Sequence, residues 1–346
     1  MNIIIIKIRF IILNIIFNLM NVRYLSVKKI LNFIRLRFSY YISSKKVLYY
    51  KNLSPYFISL EPADYCQLQC PECPVGTREI LKRKNNLISV NIVKDTISEL
   101  KNNLIHVIFY FQGEPLLNKS LPEYIQYAHK LKIFTSTSTN AQALDSDMAK
   151  QLVLSGLDKI IISIDGATQE VYEQYRIGGK ISKTIVGIQQ LSFWKKELKS
   201  ITPFIEIQCI VFKTNEHQIE EMYKLANKLK VDNLVLKTAQ IYNYKKGNAL
   251  IPSISKYSRY KKLENGDYAI KSSLPNTCWR AWSGGVVNTN GDVLPCCFDK
   301  ESLNKYGNVQ NSSFLTQWHN DASFQYRNSI LNNRKGNRIC KNCTGK

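Results

Sequence analysis

Nine cysteines carry most of the chemistry that this 346-residue sequence can offer, and they are clustered. Three stand together at Cys66, Cys70 and Cys73, five lie from Cys278 to Cys343, and Cys209 is alone. The first group has the spacing C-x3-C-x2-C. Three thiolates on one short loop can hold three irons of a cubane cluster and leave the fourth without a protein ligand. An open iron can chelate the amino and carboxylate groups of a small molecule and pass it an electron. Zinc would normally take a fourth protein ligand, and no histidine lies close in this segment. Structural or zinc-binding thiols are the competing reading.

In the second group, Cys278 precedes two short β-rich runs, Val286–Val287 and Val293–Leu294, with a turn centred on Asn290–Gly291. Cys296 and Cys297 follow, and Cys340 and Cys343 form a C-x2-C pair. Disulfide scaffolds serve small secreted domains that bury too little surface. A chain of this length with 45% hydrophobic residues is not one, and its short-spaced thiols favour metal thiolates in a reducing compartment, expected to be the cytoplasm.

The elements that must position these thiols follow from hydrophobic periodicity. Strands are expected at Phe57–Glu61, Val107–Phe111, Ile133–Ser136, Ile160–Ser163, Ile205–Phe212 and Leu234–Leu236. Helices are expected near Asn91–Asn102, Leu121–Lys130, Ser146–Leu154, Thr184–Leu198 and Glu216–Lys230. This alternation predicts an α/β fold, a partial (β/α)6 TIM-like barrel with its site at the strand C-termini. A small C-terminal α+β cluster-binding extension, with helices near Phe314–Trp318 and Phe324–Leu331, completes it. The expected division is a basic segment over 1–52, the barrel over 53–240, a connector over 241–276 and the extension over 277–346.

From about Phe57 onward the chain resembles the radical S-adenosylmethionine (SAM) superfamily, through the three-cysteine spacing after the first strand and several further motifs. Gln112-Gly113-Glu114-Pro115 is similar to the family's Gly-Gly-Glu-Pro segment, which meets the methionine amino group, although Gln112 replaces a glycine. A negative φ at Gln112 would let the backbone keep that role. Ser136-Thr137-Ser138-Thr139-Asn140 resembles the segment reaching the ribose, with Thr137, Thr139 and Asn140 as candidates. Ser163 and Asp165 match Ser-x-Asp-Gly and share a strand face. The resemblance makes Arg176 a candidate partner for the methionine carboxylate, the alternative being a surface arginine before Gly178–Gly179. Gln208 and Lys237 are further pocket candidates, whereas Cys209 should face the opposite way as a core thiol.

The order Cys278, hairpin, Cys296, helix, C-x2-C resembles the SPASM/twitch extension of the same family. It implies that Cys278, Cys296, Cys340 and Cys343 hold a second, auxiliary 4Fe–4S cluster, with Cys297 a non-ligand. The absence of cysteines between Cys297 and Cys340 fits the single-cluster twitch pattern better. A tetrahedral zinc site on the same four thiolates is the alternative.

The resemblance further implies reductive cleavage of SAM to methionine and a 5′-deoxyadenosyl radical, which abstracts hydrogen from an unactivated C–H bond. Oxidation of the substrate through the auxiliary cluster would follow. A flavodoxin- or ferredoxin-type electron donor is implied, with a peptide, glycan or sugar-like small molecule as substrate. No residue stands out as a catalytic acid, base or nucleophile. The non-enzymatic alternative is a zinc- or iron–sulfur-binding protein for nucleic acid or electron transfer.

Net charge is +22, which admits nucleic acid or an anionic membrane as partner. The abundance of Lys, Ile, Asn and Tyr equally fits a genome drifting toward A and T. Residues 1–52 hold ten Lys or Arg and no Asp or Glu. Ile3–Leu19 is expected to fall short of a bilayer span because Lys7, Arg9, Asn14 and Asn18 interrupt it. It lacks the charge order and cleavage site of a signal peptide, and Met20 is an alternative start. Val27, Ile30, Leu31, Ile34 and Phe38 recur at helical spacing among Lys28, Lys29, Arg35 and Arg37. This pattern predicts a helix packed on the following domain, with peripheral contact at the inner membrane face as the alternative.

Overall fold

The computed structural model describes residues 3–48, 52–78 and 86–344, so Lys51, one of the ten cations, lies outside the described residues. Helices α1 (Ile3–Met20) and α2 (Val27–Ile42) come first. Then follow β1 (Phe57–Leu60), α3 (Val90–Leu100), β2 (His106–Phe109), α4 (Leu121–Lys130), β3 (Phe134–Thr139), α5 (Ser146–Leu154) and β4 (Lys159–Ser163). After these come α6 (Gln169–Tyr175), α7 (Ile181–Glu197), β5 (Phe204–Val211), α8 (Ile219–Lys228) and β6 (Asn233–Thr238). All six expected strands are present, each followed by helix except the last. Three of their helices, α3, α5 and α6, start where a side chain takes an orphan amide. Ser89, Asp145 and Thr168 accept from the amides of Ile92, Met148 and Val171.

The chain forms two compact units, Met1–Val22 with Cys66–Glu79 and Ser136–Lys271, and Arg23–Tyr65 with Ile80–Thr135 and Ser272–Lys346. In the first, β3, β4, β5 and β6 pair in parallel and in sequence. β3 runs three residues beyond the expected end because its Ser and Thr residues pair in register with Lys159–Ile162. The connector holds an antiparallel pair, β7 (Tyr260–Lys262) and β8 (Tyr268–Ile270), too short to leave a periodic signal. In the second unit β1 pairs in parallel with both β2 and β9 (Gly284–Val287), the latter preceded by α9 (Trp279–Ser283). β9 continues antiparallel through the expected hairpin to β10 (Asp292–Leu294), which pairs with β11 (Gly307–Asn308). α10 (Phe314–Trp318) and α11 (Asp321–Asn333) close the extension.

The N-terminal helices depart from expectation. Over Ile3–Tyr24 the chain is helical, with mean hydropathy 2.2, long and apolar enough by length and composition to cross a bilayer. The polar interruptions do not shorten the run. α2 does pack on its unit, but through its polar stripe. Lys29, Asn32, Leu36 and Ser39 are buried, while Val27, Ile30, Leu31 and Ile34 are exposed. Buried polar atoms are tolerated when each finds a partner. Lys29 Nζ donates to the Lys132 and Tyr24 carbonyls at 2.7 and 3.1 Å, and Asn32 Nδ2 donates to Ser54 O at 2.8 Å.

Burial pulls the Lys29 ammonium down to about 8. The unfolded chain therefore holds that proton through a pH range in which the folded chain has lost it, and stability rises as pH climbs from about 8 toward the ordinary lysine value. The gain is at most ~3 kcal/mol. Thermal melts across that range should show the wild type gaining on Lys29→Met as pH rises.

Candidate functional site

The loop that carries Cys66, Cys70 and Cys73 is built to hold its sulfurs in place. Cys73 N donates to Cys70 O at 3.1 Å and Thr77 N donates to Cys73 O at 2.9 Å, so the chain winds tightly around the second and third thiols. Gly76 permits this, because a Cβ there would stand 2.6 Å from the Cys70 amide nitrogen. All three cysteines are free thiols packed around one cluster of apolar side chains that includes Leu68, Tyr175 and Phe212.

Donors point at the sulfurs. Leu68 N and Asn140 Nδ2 both lie 3.4 Å from Cys66 Sγ, and Arg176 Nη1 is 3.9 Å from Cys70 Sγ. Burial raises the Cys70 thiol to about 11, although the Arg176 guanidinium opposes the rise. A thiol so placed keeps its proton until a metal displaces it.

The polar ends of β3, β4 and β5 supply the other candidates of this unit. Thr137 and Thr139 are buried, and Thr139 Oγ1 accepts from Ala141 N at 2.8 Å. Asn140 is tied to the cysteine loop twice, since its Oδ1 also accepts from Gln67 Nε2 at 3.2 Å. Ser163, the last residue of β4, pairs in register with Gln208, which stands three residues before the end of β5. Asp165, fully buried, and the largely covered Arg176 form an ion pair, Nε to Oδ2 at 2.6 Å. The second Asp165 oxygen accepts from Ile210 N at 2.6 Å. Burial raises the Asp165 carboxyl while Arg176 pulls it down, and the carboxylate in turn holds the guanidinium charged. One edge of Arg176 is thus taken by Asp165 and another faces Cys70, an arrangement that sequence spacing did not reveal. Lys237 is exposed on β6, and Cys209 is buried as strand alternation requires.

The segment Gln112–Pro115 lies in the second unit. Gln112 is not among the described non-glycine residues with positive φ, the condition under which glutamine can stand there. Its Nε2 donates to Lys300 O at 2.9 Å. Glu114 is buried, its Oε1 accepting from Leu116 N at 3.1 Å and its own amide donating to Tyr65 O at 2.8 Å. Pro115 opens the short turn that follows. A Cβ on Gly113 would come within 2.2 Å of Ala63 O and 2.8 Å of Tyr65 N. Tyr65 directly precedes Cys66 in the chain. Gly113→Ala is expected to displace residues 63–65 and lower SAM cleavage by at least about tenfold, because misplacement near reacting groups is costly. Anaerobic assay of 5′-deoxyadenosine with parallel iron determination checks this.

In the same unit Cys278, Cys296, Cys340 and Cys343 lie close enough to feel one another's charge. Burial and the neighbouring Cys297, Cys278 and Cys340 push the Cys296 thiol well up. Cys340 is raised by burial against the pull of Arg334. Phe298 N donates to Cys296 Sγ at 3.4 Å, and Cys343 N donates to Cys340 O at 3.0 Å. Arg334 carries no motif and was missed in the sequence. It is buried beside three of these thiols, with Nη2 3.5 Å from Cys343 Sγ and Nη1 donating to Thr277 O at 2.6 Å. Cys297 instead receives a hydrogen bond from Arg280 Nη1 at 3.6 Å.

Sulfur donors with cationic or amide neighbours are the chemistry that an iron–sulfur cluster requires, and both groups fit one. Among the described residues no three His, Cys, Asp or Glu side chains converge closely enough for a single metal ion. Thiols that each take a different iron stand farther apart than ligands of one ion. Parallel βα units with clustered thiols define an α/β iron–sulfur protein.

Comparison with known proteins makes this specific. Residues 60–226 match the radical SAM superfamily, and residues 278–344 match SPASM, an iron–sulfur cluster-binding domain. The chain thus carries a radical SAM domain followed by a SPASM domain, and its cofactors are S-adenosylmethionine and 4Fe–4S clusters. It is similar to the PqqA peptide cyclases of Bradyrhizobium diazoefficiens (24% identical, 79% of this chain, 75% of the relative) and Rhodopseudomonas palustris (26%, 70% and 67%). Among solved structures it resembles Streptococcus suis SuiB bound to S-adenosylmethionine, with TM-score 0.59 and 16% identity over 84% of this chain and 72% of the other. SuiB bound to the precursor peptide SuiA gives TM-score 0.60 and 17% identity, over 84% and 70%. The fold is accordingly an α/β partial barrel with a C-terminal extension.

Proposed function

We propose that this radical SAM enzyme modifies a peptide oxidatively, with Cys66, Cys70 and Cys73 holding the cluster that meets SAM. Cys278, Cys296, Cys340 and Cys343 hold an auxiliary cluster, and Cys297 stays outside it. The single observation that carries the reading is the Cys66–Cys73 loop, wound around its own thiols and met by Asn140 and Arg176. When bound, a 4Fe–4S cluster with an open iron supplies the electron that cleaves SAM reductively.

The chain's own residues bind, orient and balance charge. Asp165 fixes the Arg176 guanidinium, and Arg176 places positive charge beside the Cys70 sulfur, where it favours the thiolate. Asn140 steadies Cys66 through its amide, leaving Thr137, Ser163 and Gln208 as the polar groups suited to the nucleoside. Gln112, Gly113, Glu114 and Pro115 keep the role toward the methionine moiety that the family resemblance implies, with Thr139 shaping the turn after β3. Arg334 does for the C-terminal thiols what Arg176 does for Cys70.

The peptide class is supported by the relatives' names and by the solved SuiB complex with a precursor peptide. A flavodoxin or ferredoxin in a reducing cytoplasm is the electron donor that such chemistry requires. Purified under anaerobic conditions and reduced with dithionite, the protein should convert SAM to 5′-deoxyadenosine. With short peptides encoded beside its gene, it should give a product lighter by whole hydrogens in mass spectra. Zinc without iron in the purified protein would sink the enzyme reading. Turnover of a sugar alcohol but of no peptide would sink the substrate class.

A further inference from the structure

Helix α1 buries Ile6, Phe10 and Phe17 and turns most of its isoleucines outward. Ile5, Ile8, Ile12, Ile15, Ile16 and Leu19 are each between 49% and 67% exposed. At about 100° per residue these side chains form one stripe, and Lys7 and Arg9 fall at its two opposite edges. Half-exposed aliphatic residues along five turns amount to an apolar patch on the order of several hundred Å², at or above the largest that a soluble monomer usually shows.

The inward face explains what such a stripe is for. The Phe17 ring stacks on Phe204 with centroids 4.3 Å apart, and Lys7 Nζ lies 4.9 Å from the centre of the Tyr223 ring. α1 therefore packs on α8 and β6 along its length. A helix held along one face by a folded unit cannot be encircled by lipid, so its length does not make it a span. Its free face can still enter the acyl boundary while the exposed Lys7 at one edge of the stripe faces the headgroups.

We propose that α1 docks this protein on an anionic lipid bilayer, lying in the plane of the interface. Charge complementarity selects the partner, because α1 carries Lys7 and Arg9 and no acid. The exposed stripe is aliphatic, whereas surfaces that track single-stranded nucleic acid interleave cations with aromatic rings for stacking. α2 makes the same choice independently. Its exposed Val27, Ile30, Leu31 and Ile34 have Lys28 and Arg35 on one flank.

Flotation of the purified full-length protein tests this, using vesicles of phosphatidylglycerol with phosphatidylcholine against vesicles of phosphatidylcholine alone. Binding should be at least ~10-fold tighter on the anionic vesicles and weaken with added salt. Ile8→Glu/Ile12→Glu/Ile15→Glu changes only exposed positions. It should abolish flotation while leaving circular dichroism and 5′-deoxyadenosine formation in solution unchanged. Lys7→Glu, which keeps the stripe, should lower affinity several-fold and reduce the preference for anionic lipid. Three results would overturn the proposal. They are flotation by the triple variant equal to wild type, a wild-type dimer that this variant converts to monomer, and retention by RNA or DNA in place of vesicles.

Discussion

In Cys70→Ala, formation of 5′-deoxyadenosine from SAM falls to the background given by the reductant alone, a loss of at least about a hundredfold. Three thiolates are the fewest that can carry a cubane with one iron left for a small molecule, and this substitution leaves two. The position is also the most buried of the three, enclosed by Leu68, Tyr175 and Phe212. Iron content reports the same event without substrate and should fall from ~8 to ~4 atoms per chain. Full SAM cleavage by the variant would remove the basis of the proposed function. A conservative comparison is Arg176→Lys, which keeps the charge near Cys70 but loses the planar fork that Asp165 grips. It should retain iron and cleave SAM more slowly.

The second large effect concerns the C-terminal thiols. Cys340→Ala leaves this group three thiolates, enough for a cubane with one iron unligated by protein, and should still give 5′-deoxyadenosine, now uncoupled from product. The reason is placement. Cys340 belongs with Cys278, Cys296 and Cys343 in the second compact unit, whereas Cys66, Cys70 and Cys73 belong to the first. Loss of a buried thiol beside Arg334 removes one of the sulfurs its guanidinium faces, so local destabilisation accompanies loss of the ligand. Cys343→Ala, at a less buried position although Arg334 Nη2 faces its sulfur, should give the same uncoupling with a smaller drop in melting temperature. Normal product yield from both variants would refute an electron-accepting role for this group.

The spacing C-x3-C-x2-C, the closing C-x2-C and the strand–helix alternation were legible because each is a local property. Thiol spacing fixes what one loop can ligate, and side-chain period fixes which face a strand or helix presents. Short pieces escaped for the same reason in reverse. β7, β8, α6 and α9 span between three and seven residues, too few to establish a period.

The partners of the site were not local. In the sequence Arg176 reads either as a partner for the methionine carboxylate or as a surface residue before two glycines; folding shows Asp165, eleven residues back, gripping it beside Cys70. Arg334 shows no pattern at all, and only folding brings it to three cysteines. α2 is the sharpest case. Its periodicity correctly marks two faces, but periodicity cannot say which face turns inward. That was decided by backbone carbonyls at Tyr24, Lys132 and Ser54, which take up Lys29 and Asn32 and leave the aliphatic face outside. By itself, the order of residues determined which atoms could ligate iron and which elements would carry them. The tertiary structure alone decided which charges stand beside those sulfurs and which apolar faces remain open, because both depend on groups far apart in the chain.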